Sequence, residues 1–259
     1  MHTALAFLAH ALRMLIFETG TTVRVVMPAM IMIMGSAVMA IVLAPDAIAA
    51  FQSAPEQMAA AAPAGIIWLL VFGIIGLLGY ALMAILWHRH VLLNGAEDPA
   101  ALMPGGSVFM HYVGRAVTVV CVQVLAGIPI TLGMGLLSLV LVPLLGGLAL
   151  FVIGVLGGLV FLWVALRISL VLPSAALAKP MTVRESWEAT VPMSSTIWSI
   201  SLLLAGLNMG LMMLTSALAP DQGGLALIVQ TVFYIIEGLV FVSVLTTLYG
   251  HLIEGRSLG

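Results

Sequence analysis

Long uncharged stretches alternate with short basic clusters along this chain, and their lengths predict six membrane-spanning helices. A helix needs about 20 apolar residues to cross the hydrocarbon core of a bilayer. Residues 25–45 and 64–87 each reach that length. Residues 116–166 carry no formal charge at all. As one helix that run would be about 75 Å long, more than twice the core thickness. Two spans, 113–140 and 147–171, are therefore predicted, with Pro143, Gly146 and Gly147 as the breakers between them. A fifth span, 197–218, ends at the polar turn Pro220-Asp221-Gln222-Gly223-Gly224, and a sixth covers 225–249. The predicted fold is an all-α, polytopic transmembrane bundle, a single integral membrane domain over 1–259.

Charge orders these spans. Arg13, Arg24, Arg89, Arg115, Arg167, Lys179, Arg184 and Arg256 all fall at one end of the predicted helices, whereas the opposite loops carry only Asp46, Glu56 and Asp221. The positive-inside rule then places both termini in the cytoplasm. Had 116–166 been one helix, Arg167, Lys179 and Arg184 would fall on the wrong side.

Composition reaches the same class independently. Hydrophobic residues make up 63% and charged residues 7%, too few charges to clothe a soluble domain of 259 residues. A net charge of -2 leaves no basic patch for phosphates, which excludes nucleic acid as the expected partner. Cys121 is the one cysteine, so an intramolecular disulfide is impossible.

Smaller elements sit between the spans. Leu5, Leu8, Leu12 and Leu15 recur at helical spacing, so residues 3–19 form either a helix on the membrane surface or an extension of the first span. Ala47-Ile48-Ala49 resembles a signal-peptide cleavage motif, but the preceding charged region is too long, and retention as the first span is expected. Thr182 and Glu185 have capping-box spacing, which predicts a short helix ending before Pro192. Its mixture of Val183, Trp187 and Val191 with Arg184 and Glu188 suits the membrane surface, as a connecting helix or a docking site. Trp68, Trp87, Trp187 and Trp198 fall near predicted boundaries, where indole rings favour the headgroup level.

The sequences Trp87-His88-Arg89-His90-Val91-Leu92-Leu93, Arg167-Ile168-Ser169-Leu170-Val171-Leu172-Pro173 and Glu185-Ser186-Trp187 carry a resemblance. Together they resemble a group of uncharacterised alphaproteobacterial membrane proteins. More distantly, they are similar to the six-helix membrane domain fused to some bacterial glycerophosphodiester phosphodiesterases. The resemblance implies a six-helix module of the bacterial inner membrane, without the phosphodiesterase activity, whose catalytic domain has no counterpart here.

Two constellations are candidates for function. The first is a cytoplasmic interface of Trp87, His88, Arg89, His90, Arg167, Arg184 and Trp187. His88 and His90 do not share a helical face and no cysteine joins them, so a metal site is not expected. The second is a midplane polar site. Glu237 is the one acid predicted deep within a span, where a carboxylate costs roughly 2.5–3.5 kcal/mol unless protonated, paired or wet. Gln123, Asn208 and Gln230 also fall in the membrane interior, and Arg167 is expected to reach toward Glu237 if their helices adjoin. The cluster reads either as a proton-linked or solute site or as interhelical hydrogen bonding.

Gly73, Gly76 and Gly79, Gly154 and Gly158, and Gly206 and Gly210 have the spacing that lets helices approach closely. Pro28 and Pro129 should kink their spans. No nucleophile triad, metalloprotease helix or nucleotide loop appears at recognisable spacing. The expected role is a non-enzymatic scaffold, accessory or assembly subunit without cofactor, contacting the lipid bilayer and another membrane protein. The alternative is a small transporter or lipid-handling protein built on Glu237. The orientation has a direct check: in a Cys121→Ser background, cysteine in place of Arg89 or Lys179 should react in intact cells only with a membrane-permeant thiol reagent. Labelling by an impermeant one refutes the topology.

Overall fold

The computed structural model describes residues 4–17, 19–53, 63–93, 102–179, 181–218 and 223–258. Among these the fold is all-α, with no strand, and six helices are long and apolar enough to cross a membrane. The chain is a multi-pass membrane protein. Its helices are α1 Ala4–Phe17, α2 Thr19–Leu43, α3 Pro45–Ser53, α4 Pro63–Leu92 and α5 Gly106–Leu145. There follow α6 Gly147–Ile168, α7 Val171–Ala176, α8 Val183–Thr190, α9 Ser194–Leu218 and α10 Gly224–Leu252. A single turn of 3-10 helix, Val191–Met193, joins α8 to α9. Glu56, Asp221, His2, Pro180, the 94–99 stretch and most of the 220–224 turn lie outside the described residues.

The six predicted spans correspond to α2, α4, α5, α6, α9 and α10. Their basic ends run further than predicted: α4 continues to Leu92, and α5 starts at Gly106 rather than 113. Hydrocarbon excludes charge, but a helix does not. The backbone ladder of α4 therefore continues past Arg89, and that of α5 begins before Arg115, where the side chains can leave the apolar layer. The turn between α5 and α6 is tighter than foreseen. Pro143 remains inside α5, and Gly146 alone reverses the chain, at φ 57° and ψ −135°, its N–H donating to the Val142 carbonyl at 2.8 Å. A side chain rarely adopts that positive φ.

Contacts divide the chain into two compact units. One comprises Met1–Arg13, Gly105–Leu207 and Val244–Gly259; the other comprises Met14–Pro104 and Asn208–Ser243. In the second unit α2 packs along α4, and α3 closes against both. The glycine stripe on α4 has unequal jobs. A Cβ at Gly79 would lie 2.7 Å from Ile33 Cγ1 and 3.3 Å from the Ile33 backbone nitrogen, one at Gly76 would lie 3.1 Å from Ser36 Oγ, and one at Gly73 meets nothing. Two of the three therefore set the α2–α4 distance. At the other end of α3, the Gln52 side-chain Oε1 accepts from the Gly223 N–H at 2.9 Å.

In the first unit α5 and α6 form an antiparallel pair, α7 folds back on α5, and α8 lies against α6. The small residues expected to mediate packing here are displaced by one. Gly154, Gly158, Gly206 and Gly210 face open space among the described residues, whereas a Cβ at Gly157 would collide with the Met134 side chain. Spacing alone cannot say which face of α6 turns toward α5.

The N-terminal segment is helical from Ala4 to Phe17, and helix resumes at Thr19; Glu18 lies outside the described residues. Within α1, Phe7 and Ala11 are buried, whereas Leu5 of the leucine stripe is exposed. Phe7 meets the His251 ring edge-on at 5.3 Å.

Gly79→Ala should lower the stability of the detergent-solubilised protein by about 1–3 kcal/mol, the usual penalty for an overpacked contact. Gly73→Ala should leave it unchanged or slightly raised. Equal effects of the two substitutions on thermal unfolding would remove Gly79 from the α2–α4 contact.

Candidate functional site

The first candidate site grows from the way α8 is locked onto the end of α6. Thr182 caps α8: its Oγ1 accepts from the Glu185 N–H at 3.2 Å, and the Glu185 carboxylate accepts from the Thr182 N–H at 2.6 Å, completing the predicted capping box. One turn on, Ser186 is fully buried. Its hydroxyl donates to the Arg167 carbonyl at 2.7 Å and accepts from the Leu170 N–H at 3.2 Å. A single side chain thus serves one carbonyl in the last turn of α6 and the N–H of Leu170, the residue that precedes α7. The helical turn that follows, α7, is closed beyond its end by Ala178 at φ 56°, a left-handed residue held by the Lys179 N–H donating to the Ser174 carbonyl at 2.9 Å.

Arg167 completes the lock. It is only 5% exposed, and among the described residues no carboxylate pairs with it. Its Nε donates to Thr190 Oγ1 and its Nη2 to the Trp187 carbonyl, both at 3.0 Å, while Thr190 Oγ1 donates in turn to the Trp187 carbonyl at 2.8 Å. The guanidinium carbon lies 3.7 Å from the Trp187 ring centroid and 4.9 Å from that of Trp163. Cation–π attraction of this kind reaches about 2 kcal/mol when desolvated. Trp163 stacks in turn on Trp198 at 5.2 Å. The Arg167 Nε and Nη2 thus serve α8, and Glu237 belongs to the other unit. Trp163, Thr190 and the role of Ser186 were not foreseen; Ser186 and Thr190, at i and i+4, were the available sign of a polar inner face.

Beside this lock, α5, α6 and α8 enclose an open groove of about 580 Å³, lined by Val122, Ala126, Val164, Ile168, Val183 and Trp187, with Arg184 and Glu188 at its rim. Arg184 is paired with Glu188 at 2.7 Å, and both are exposed. The same unit is tied down by Glu254, which bridges Lys179 and Arg256 at 2.9 and 2.8 Å. The hydrogen bond to Glu254 raises the Lys179 pKa, so Lys179 keeps its charge through the ordinary lysine range and its contribution is lost as pH climbs above that range.

The remaining predicted interface residues lie in the second unit, and most are closed off. Trp87, His88 and His90 are buried, and the Arg89 Nε donates to the Leu102 carbonyl at 2.9 Å. Trp87 is 1% exposed, so its ring is core and not a headgroup anchor; it packs on His90 at 5.6 Å. The seven residues do not make one exposed surface. Arg167, Arg184 and Trp187 do cluster.

The midplane site is partly assembled. Asn208 on α9 donates its amide to the Glu237 carboxylate on α10. Two tyrosines join them: Tyr80 on α4 lies within electrostatic reach of both Glu237 and Tyr234. Gly238 permits the approach, since a Cβ there would sit 3.2 Å from Met83 Cε and 3.6 Å from the Tyr80 ring. Gln230, Tyr234 and Glu237 follow one another at i, i+4 and i+7 along one side of α10. Gln123 is different. It belongs to the other unit, where its amide donates to the Phe161 carbonyl at 2.7 Å and joins α5 to α6. Tyr80 and Tyr234 were missed because tyrosine in a span reads as apolar; the three-residue step from Tyr234 to Glu237 was the signal.

No family model, curated protein or solved structure matches this chain.

Ser186→Ala leaves the Leu170 N–H and the Arg167 carbonyl without their buried partner. A loss of about 1–3 kcal/mol is expected for such orphaned groups. It should appear as faster hydrogen exchange across α8 with unchanged exchange in α2 and α4. Uniform exchange throughout would show that Ser186 is not what holds α8.

Proposed function

We propose that this chain is a non-enzymatic subunit of the bacterial inner membrane, both termini cytoplasmic, that works as a scaffold or accessory protein against lipid and another membrane protein. The observation that carries this reading is α5. Its most apolar window has no buried residue, whereas the corresponding windows of the other five spanning helices are 17–39% buried. Leu132, Leu136 and Leu139 project from it, each more than 60% exposed. The described residues outside the spans form short helices and turns. The resemblance to six-helix modules of alphaproteobacterial inner membranes supports the same placement. A photo-reactive residue at Leu132 or Leu136 should give one discrete protein adduct in native membranes. Lipid adducts alone would refute a protein partner on this face.

A second reading rests on a specific observation, the convergence of Glu237, Asn208, Tyr80 and Tyr234 from three helices. A carboxylate paired with an amide inside a span, with the Tyr80 phenol within electrostatic reach, is a chemically competent site for a proton or a small polar solute. In the scaffold reading these groups hold helices together. Glu237→Gln keeps the hydrogen-bonding shape and removes the charge, so the scaffold reading expects unchanged cross-linking at α5 and unchanged growth. A proton-dependent flux in vesicles that Glu237→Gln abolishes would favour transport.

A further inference from the structure

The hairpin of α5 and α6 is too short to carry its turn into water on the far side of a bilayer. Its near level is fixed by charge. Arg184 and Glu188, exposed and paired at 2.7 Å, line the same groove as Ala126 on α5 and Val164 on α6. An exposed ion pair belongs among headgroups or in water, not in hydrocarbon. Trp163, stacked at 5.2 Å on the exposed Trp198, marks the same level with rings that favour it. The helical rise from Ala126 to Gly146 is about 30 Å, and from Gly146 to Val164 about 27 Å. The hydrocarbon core alone is about 30 Å thick, and headgroups bring a bilayer to about 40–45 Å. An average helix tilt of about 20° shortens the reach further. The turn therefore ends at or below the opposite edge of the hydrocarbon.

The chemistry of the tip agrees with that length. Between Ser138 and Trp163 no side chain carries a nitrogen or oxygen atom. Beyond Ala126 the polar side chains of α5 are Thr131 and Ser138, and each hydroxyl donates to a carbonyl of its own helix, Ser138 to Gly135 at 2.7 Å and Thr131 to Gly127. The reversal is made by one residue, Gly146, which closes both of its own backbone groups. Its N–H donates to the Val142 carbonyl at 2.8 Å, and its carbonyl accepts from the Ala149 N–H at 3.1 Å. Lipid demands that closure, because it offers a peptide group nothing to bond to. Around the turn, Leu144, Leu148 and Phe151 are 73%, 60% and 60% exposed. The two other connections remote from the basic clusters carry Asp46 with Glu56, and Asp221, as loops that meet water do.

We propose that the α5–α6 hairpin is re-entrant: it stops inside the leaflet opposite the basic clusters, and the partner of its tip is the acyl chains of that leaflet. Leu144, Leu148 and Phe151 insert between those chains. Gly146 lies just beneath the ester groups and not at the midplane, because helix ends leave backbone groups without intrahelical partners. Both arms of the hairpin still begin and end at the basic level, so the charge order of the chain is unchanged. A tip of fixed reach also responds to thickness: thinner hydrocarbon bares it to water, and thicker hydrocarbon covers it. The proposal rests on the hairpin itself, not on a protein partner at α5.

The test uses the full chain, purified and reconstituted alone in dioleoyl phosphatidylcholine vesicles. In a Cys121→Ser background, a nitroxide is attached to a single cysteine replacing Leu144 or Leu148, both exposed, or Asp46, exposed at the start of α3. Power saturation then compares collisions with oxygen, which concentrates in hydrocarbon, and with a water-soluble nickel chelate. Oxygen should dominate at both tip positions and the nickel chelate at Asp46. In vesicles of shorter, dimyristoyl chains, nickel collisions should rise at Leu144 and Leu148 and stay constant at Asp46. Dominance of nickel at the tip in dioleoyl vesicles overturns the proposal, since the turn is then in water. Exclusion of both reagents overturns it as well, because protein and not lipid then covers the tip. Tip collisions that ignore chain length overturn the claim that the hairpin ends near the far edge of the hydrocarbon.

Discussion

A peptide group in hydrocarbon has no water to bond to, and every other feature of this protein is arranged around that fact. Apart from the ladder bonds that Pro28, Pro129 and Pro143 cannot donate, each of the six spans satisfies its N–H and C=O groups within its own helix, and the remaining exceptions fall at helix ends. The ends are where the polar side chains are spent. Gly146 closes α5 by donating to Val142, and Ser186 serves both the Arg167 carbonyl and the Leu170 N–H. Ser36, Ser201, Thr215 and Thr231 lie within spans and return their hydroxyl protons to carbonyls three or four residues back, which removes a donor from lipid at little disturbance to the helix.

Charge obeys the same constraint in two ways. Most cations remain at the basic ends of the helices and reach water or one another's counterions, as Lys179 and Arg256 do at Glu254. Arg167 is the exception, buried yet without an acid among the described residues, and it is neutralised by dipoles and indole faces instead. Its position in the last turn of α6 helps, since carbonyl ends of a helix favour a cation. The consequence is architectural. Arg167 can be buried only if α8 brings Trp187 and Thr190 to it, so the surface helix and the buried charge require one another. The groove beside them is a by-product of that arrangement, walled by the apolar side of α8 and fringed by its charged side.

Glu237 shows the other solution to a charge at depth. Asn208 donates its amide to the carboxylate, and among the described residues no cation pairs with it. Gln123 solves a milder version of the problem by donating across the α5–α6 pair to the Phe161 carbonyl. Polar residues that share a depth in the sequence therefore serve separate units, one joining α5 to α6 and the other joining α9 to α10.

The sequence by itself determined the class, the number of spans, their approximate limits and the cap of α8, because each follows from a local count. Uncharged length sets a span, and Thr182 with Glu185 specifies a helix start. It also marked Glu237, Asn208, Arg167 and Trp187 as residues in unusual surroundings. Only the tertiary structure decided which way each helix is rotated. That rotation chose Gly79 and Gly157 over Gly73 and Gly154 for close approach, buried Trp87 and His88, turned Arg167 toward Trp187, and brought Tyr80 to Glu237. A helix that is apolar on every side carries almost no periodic signal of its inner face, so the contacts that orient it are written in shape and not in hydrophobicity.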